Sequence, residues 1–151
     1  MKRLLITATV LALACSMVLV AGMAFAQTPN KVVYVRVGST VKLRMSCCYD
    51  GGYNLILTKQ IGGQRLNFVK EYLASLPVAC GGIADVALEY KALSSGYVWL
   101  TFEERRSWET NVPAANVTNW TVVILPAGSD KVPSPFPGAP AQHIPAGTVI
   151  Y

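Results

Sequence analysis

Histidine is nearly missing from this chain: His143 is the only one, and charged residues make up just 14%. A single histidine leaves no cluster for zinc, and any catalytic pair or triad would have to use that one residue. Cysteines are few, at Cys15, Cys47, Cys48 and Cys80, which excludes a disulfide-dense miniprotein. Scarce charge without long polar tracts excludes a disordered chain. Helical patterning is also missing. Beyond residue 26 nothing sustains apolar residues three and four apart, so no long helix is expected. The 151 residues suit one domain.

What the chain does have begins with an address. Met1-Lys2-Arg3 is basic, Leu4–Val20 is an apolar run, and Ala24-Phe25-Ala26 places small residues just before Gln27. This three-part pattern predicts a secretory signal over residues 1–26, removed on export to give a secreted or periplasmic protein. If it stayed uncleaved, this segment would be the only contact with a membrane. Leu11-Ala12-Leu13-Ala14-Cys15 resembles a lipoprotein cleavage box, but the apolar run continues past Cys15, which favours an ordinary apolar-segment cysteine. The remaining 125 residues carry 11 basic and 8 acidic side chains, a net charge of +3. The basic residues are scattered, with only Arg105-Arg106 adjacent, so no nucleic-acid face is expected.

Residues 27–126 read as strands. Val33, Val35 and Val37, then Val41, Leu43 and Met45, alternate with polar residues around Gly38-Ser39, the period of half-buried strands. Tyr53–Lys59, with Tyr53, Leu55 and Leu57 on one face, and Ile83–Leu93 repeat the pattern. Asn67–Leu73 is a further candidate that also fits a helical turn. Tyr97–Phe102 places Val98, Leu100 and Phe102 opposite Tyr97, Trp99 and Thr101, and Trp120–Leu125 closes the series. Seven short strands separated by turn residues predict an all-β, antiparallel sandwich. Residues 127–151 form a proline-rich tail, expected to be extended and mobile because proline lacks the ladder donor.

Three loops interrupt this pattern: Ser46–Tyr53, Ala79–Gly82 and Arg105–Glu109. Each combines permissive glycines, or a tryptophan, with reactive or charged neighbours. Glycine admits close approach of another chain, and tryptophan beside arginine is the composition of a binding hot spot. Equally, the glycines could simply close turns and Trp108 could cap the core.

The order of strands and loops resembles the chagasin-type inhibitors of papain-like cysteine proteases, over roughly Lys31–Pro126. Ala79-Cys80-Gly81-Gly82 is similar to that family's Gly-x-Gly-Gly loop, with alanine in the first position. Arg106-Ser107-Trp108 is similar to its Arg-Pro-Trp loop, with serine in the middle. Leu93–Leu100 looks like the strand before that loop. Trp120–Leu125 looks like the closing strand. The first motif, Asn-Pro-Thr-Thr-Gly, is absent. Cys48-Tyr49-Asp50-Gly51 stands in its place, and Gly52-Tyr53 resembles its final glycine and aromatic.

The resemblance implies an immunoglobulin-like β-sandwich after the signal peptide, acting as a reversible, non-covalent inhibitor. Asp50, Gly51, Gly52 and Tyr53 would fill the protease cleft. Cys80, Gly81 and Gly82 would lie against one wall, and Arg106, Ser107 and Trp108 would anchor the other. The altered first motif keeps open a non-inhibitory binding module on the same scaffold, contacting an envelope protein or a saccharide. In such a sandwich the first two loops are neighbours. Cys80 could therefore bridge to Cys48, the preferred partner, or to Cys47, closing a loop of about 30 residues. Removal of Cys15 with the signal would leave three cysteines, an odd number, and so one thiol without an internal partner. The expected partner is a papain-like cysteine protease bound by a monomer. No cofactor or metal is implied, and no catalysis is expected, since His143 lies in the tail.

Overall fold

The structure, a computed structural model, describes residues 30–75, 82–135, 142–143 and 146–151. The expected signal segment lies outside them. The chain builds β1 (Asn30–Arg36), β2 (Thr40–Cys47), β3 (Tyr53–Ile61), β4 (Leu66–Ser75), β5 (Ala84–Ala92), β6 (Gly96–Arg106) and β7 (Asn116–Leu125). Two short strands follow, β8 (Lys131–Val132) and β9 (Gln142–His143). The only helical element among the described residues is a 3-10 turn over Tyr49–Gly51.

Two sheets form an all-β sandwich. One has the order β1-β7-β6-β3 and the other β2-β5-β4. All main pairings are antiparallel except β1 with β7, a parallel edge pair running from Asn30 opposite Asn119 to Arg36 opposite Leu125. The predicted alternation explains the layers. In β2, Val41, Leu43, Met45 and Cys47 are buried while Lys42, Arg44 and Ser46 face water. Leu88 and Tyr90 of β5 meet Val98, Leu100 and Phe102 of β6, with Val122 and Ile124 of β7 completing the core. Each fully buried side chain of this size contributes about 1.5–3 kcal/mol.

Leu55 and Leu57 share one face of β3, opposite Glu104 and Phe102, and a register shift follows between Leu57 and Lys59. Leu57 stays partly accessible because β3 is the edge strand of its sheet. One expectation is corrected. The described part of the proline-rich tail is not free. Val132 is buried with Val123 and Leu125, and Ile150 packs on this second cluster with Tyr34 and Tyr97. Arg36 N–H donates to Tyr151 O at 3.0 Å, and Tyr151 N–H donates to Tyr34 O at 3.1 Å. Arg36 and Asp130 pair nearby. Extended, proline-compatible backbone serves as well for an edge strand as for a free tail once apolar side chains such as Val132 and Ile150 find a surface.

Strand register brings three connections to one end. Cys47 ends β2 opposite Ala84, the first residue of β5, and Ser75 ends β4 opposite Asp85. In the other sheet Tyr53 begins β3 opposite Arg106, the last residue of β6, and Asn116 opens β7 opposite Glu104.

Candidate functional site

The first loop at this end is a tight turn. Gly51 N–H and Tyr53 N–H reach Cys48 O at 3.0 and 3.4 Å, and Gly52 N–H reaches Tyr49 O at 2.9 Å. Gly52 closes the turn in the left-handed region, at φ 76°. Its missing side chain is also where Trp108 lies: a Cβ on Gly52 would stand 2.1 Å from the indole Cη2. Both the backbone angle and the close packing require glycine here.

The third connection, Ser107–Ala115, is held from both sides. The sequence reading placed Arg105 and Arg106 in the loop, but both belong to β6. Alternation along β6 puts Glu104 and Arg106 on the same side as Val98, Leu100 and Phe102. At the mouth of the sandwich the core has ended, so these two polar side chains reach across to the first loop. Glu104 Oε1 accepts Cys48 N–H at 2.8 Å. Arg106 Nε donates to Gly51 O at 2.9 Å, and its guanidinium stands 4.4 Å from the centre of the Tyr53 ring. A third contact runs from Arg106 Nη1 to Glu109 Oε1 at 2.9 Å. The hydrogen bond to Glu109 raises the pKa of Arg106 above its ordinary value, with Tyr53 adding to the effect against some desolvation. Arg105 points the other way, donating to Val112 O at 2.6 Å and pairing with Glu103.

Cys47 sits beneath the first loop, with Sγ 3.5 Å from Tyr53 O. Burial pushes its thiol up to about 12, with the Glu104 carboxylate adding to the shift. It is therefore a protonated, packed thiol and not a nucleophile. No disulfide is found among the described residues, and Cys47, one of the two bridging candidates, is free and buried. Its inward position on β2 accounts for this. Cys80 and Gly81 lie outside the described residues. Gly82 is half-buried just before β5.

The residues brought together are thus Asp50–Tyr53, Gly82 and Arg106–Trp108. Tyr49 from the first loop, Ile83 from the second and Val112 from the third escaped the sequence reading. Together with the predicted Trp108 they are exposed large apolar side chains; Ile83 is 68% and Trp108 65% accessible. Ile83 carried a legible signal, since it stands on the opposite parity to Val86, Leu88 and Tyr90 and so off the core face. Tyr49 Oη donates to Glu71 Oε1 at 3.2 Å, which holds its ring beside β4. The end of the sandwich is therefore an apolar crown from three loops, with both arginines engaged below it. Among the described residues no group of three His, Cys, Asp or Glu side chains could hold a metal ion.

Among solved structures, this architecture aligns with the cysteine protease inhibitor EhICP2 from Entamoeba histolytica, at a TM-score of 0.50 and 13% identity, covering 66% of this chain and 98% of that one. The chain shares that inhibitor's fold. Amebosin also aligns (TM-score 0.47, 11% identity, 65% of this chain and 96% of that one), as does PbICP-C, solved in complex with falcipain-2 (0.44, 11%, 66% and 91%). No family model and no curated protein matches the sequence.

Proposed function

We propose that this protein is an exported, secreted or periplasmic inhibitor of papain-like cysteine proteases that blocks the active-site cleft reversibly with the three loops at one end of the sandwich. The turn at Asp50–Tyr53 enters the cleft. The loop containing Cys80–Gly82, with Ile83, lies along one wall, and Trp108 packs on the other. The observation that carries this reading is the apolar crown, placed at one end of a fold shared with a cysteine protease inhibitor. Exposed aromatic and aliphatic side chains on a preformed frame are what a cleft-filling partner needs, because little ordering remains to be done on binding.

Inhibition requires no reacting group on this chain. The buried, protonated Cys47 thiol fits a binder better than a nucleophile. The test is titration of papain with protein purified without residues 1–26. Inhibition at nanomolar to micromolar protein that reverses on dilution is the expected result. A folded sample that leaves papain fully active at micromolar protein refutes the reading for this protease class.

A further inference from the structure

We infer that Arg106 is a positioning residue and not a contact to the partner: it latches the β2–β3 turn to the β6–β7 loop, so that the turn and Trp108 are presented as one preformed surface. The affinity part of this inference rests on the inhibitor reading; the latch itself does not.

A tryptophan and an arginine side by side suggest two anchors reaching outward. The structure separates them. Trp108 is largely exposed, whereas the Arg106 guanidinium, with its side chain 34% accessible, is engaged in three contacts within the chain. Nε is directed at Gly51 O at 2.9 Å, Nη1 at Glu109 Oε1 at 2.9 Å, and the π face of Tyr53 lies 4.4 Å away. Two of these partners belong to the first loop and one to the third. The planar guanidinium suits this, because one rigid group holds a carbonyl, a carboxylate and a ring in fixed directions, whereas an ammonium's donors rotate on a flexible stem. Arg106 is also held by strand pairing opposite Tyr53, so the latch is anchored in the sheet. Its consequence is local to Gly52, where the turn must keep its left-handed geometry for the indole to lie across it. Releasing the turn would cost both the cleft-filling loop and the seat of Trp108. The loss is expected to be about tenfold in affinity, the size of re-ordering one or two side chains on binding.

The deciding experiment uses purified wild-type protein and the variants Arg106→Ala, Glu109→Ala and the double variant. In the free proteins, amide hydrogen exchange at Gly51, Gly52 and Tyr53 is expected to speed up in each variant, while the amides of Val98–Phe102 stay protected. Against papain, each single variant is expected to lose about tenfold in inhibition constant, with the double variant no worse than either single one. Exchange in the turn unchanged from wild type overturns the latch. Glu109→Ala binding as well as or better than wild type, with Arg106→Ala weakened, overturns it too, because an Arg106 freed from Glu109 would then be contacting the protease. If wild-type protein does not inhibit papain, the inhibitor reading fails and the exchange result alone decides the latch. Glu109 is a partly exposed loop residue, so its variant carries the exchange test even if Arg106→Ala does not fold.

Discussion

The Trp108 indole lies across Gly52 so closely that any side chain on Gly52 would overlap it, with a Cβ 2.1 Å from Cη2. The connection that crosses between the sheets and one that joins two strands of the four-stranded sheet therefore meet at a residue that has no side chain and a left-handed backbone. Gly52→Ala is expected to cost about 1–2 kcal/mol through the backbone angle alone and to push the indole off the turn. Thermal melting and tryptophan fluorescence measure the two effects, and inhibition of papain should be lost with them. Wild-type inhibition from Gly52→Ala would show that the indole's seat is dispensable.

Trp108→Ala should separate binding from stability. At 65% exposure the side chain adds little to the core, so stability should stay within about 0.5 kcal/mol. Inhibition should weaken by roughly 30-fold or more, as for an aromatic hot spot. Parallel denaturation and inhibition titrations check both.

Ile83→Ser tests the part of the crown that lies beside the second loop. The side chain is 68% exposed, so no cavity is created, and the melting temperature should be unchanged. Inhibition should fall about tenfold, the usual range for a smaller interface contact. Unchanged inhibition would remove Ile83 from the contact surface.

The outer face of the three-stranded sheet carries a pH-dependent element. Glu89, nearly buried, lies 3.3 Å from Lys42 Nζ and 3.5 Å from Lys70 Nζ. Burial raises its carboxyl, but the hydrogen bond from Lys42 and the charges of both lysines outweigh burial and hold it below the usual carboxylate range. A depressed carboxylate contributes stability above its unfolded pKa of about 4.3, and that stability is lost as pH falls through the folded value. Glu89→Gln should therefore melt below wild type at pH 7, with the gap closing below about pH 4.

Cys47 should resist alkylation in the folded protein. With its thiol pushed up to about 12 by burial, almost no thiolate exists at pH 8, so iodoacetamide should modify Cys47 only after denaturation. The same shift predicts lower stability as pH rises above about 8.5, where the unfolded chain's thiol ionises and the folded one does not. Peptide mass mapping and alkaline melting curves read the two effects.

The strands and their core faces were legible in the residues themselves. Val41, Leu43 and Met45 against Lys42 and Arg44 set one face of β2 toward apolar surroundings, and the same period in β5 and β6 requires two layers to bury it. The glycine-rich turn, Gly82 and Trp108 were legible as unusual loop chemistry. Alternation is a local property, enforced by the pleat, so it survives being read without partners. The rest depended on distant segments meeting. Arg106 looked like an outward anchor until register placed it opposite Tyr53 and beneath Gly51. Glu104 showed no sign of reaching Cys48, and the proline-rich tail showed none of docking through Val132 and Ile150. A charged side chain at the end of a strand takes its role from whatever stands across the mouth of the sandwich, and that neighbour is supplied by residues more than 50 positions away.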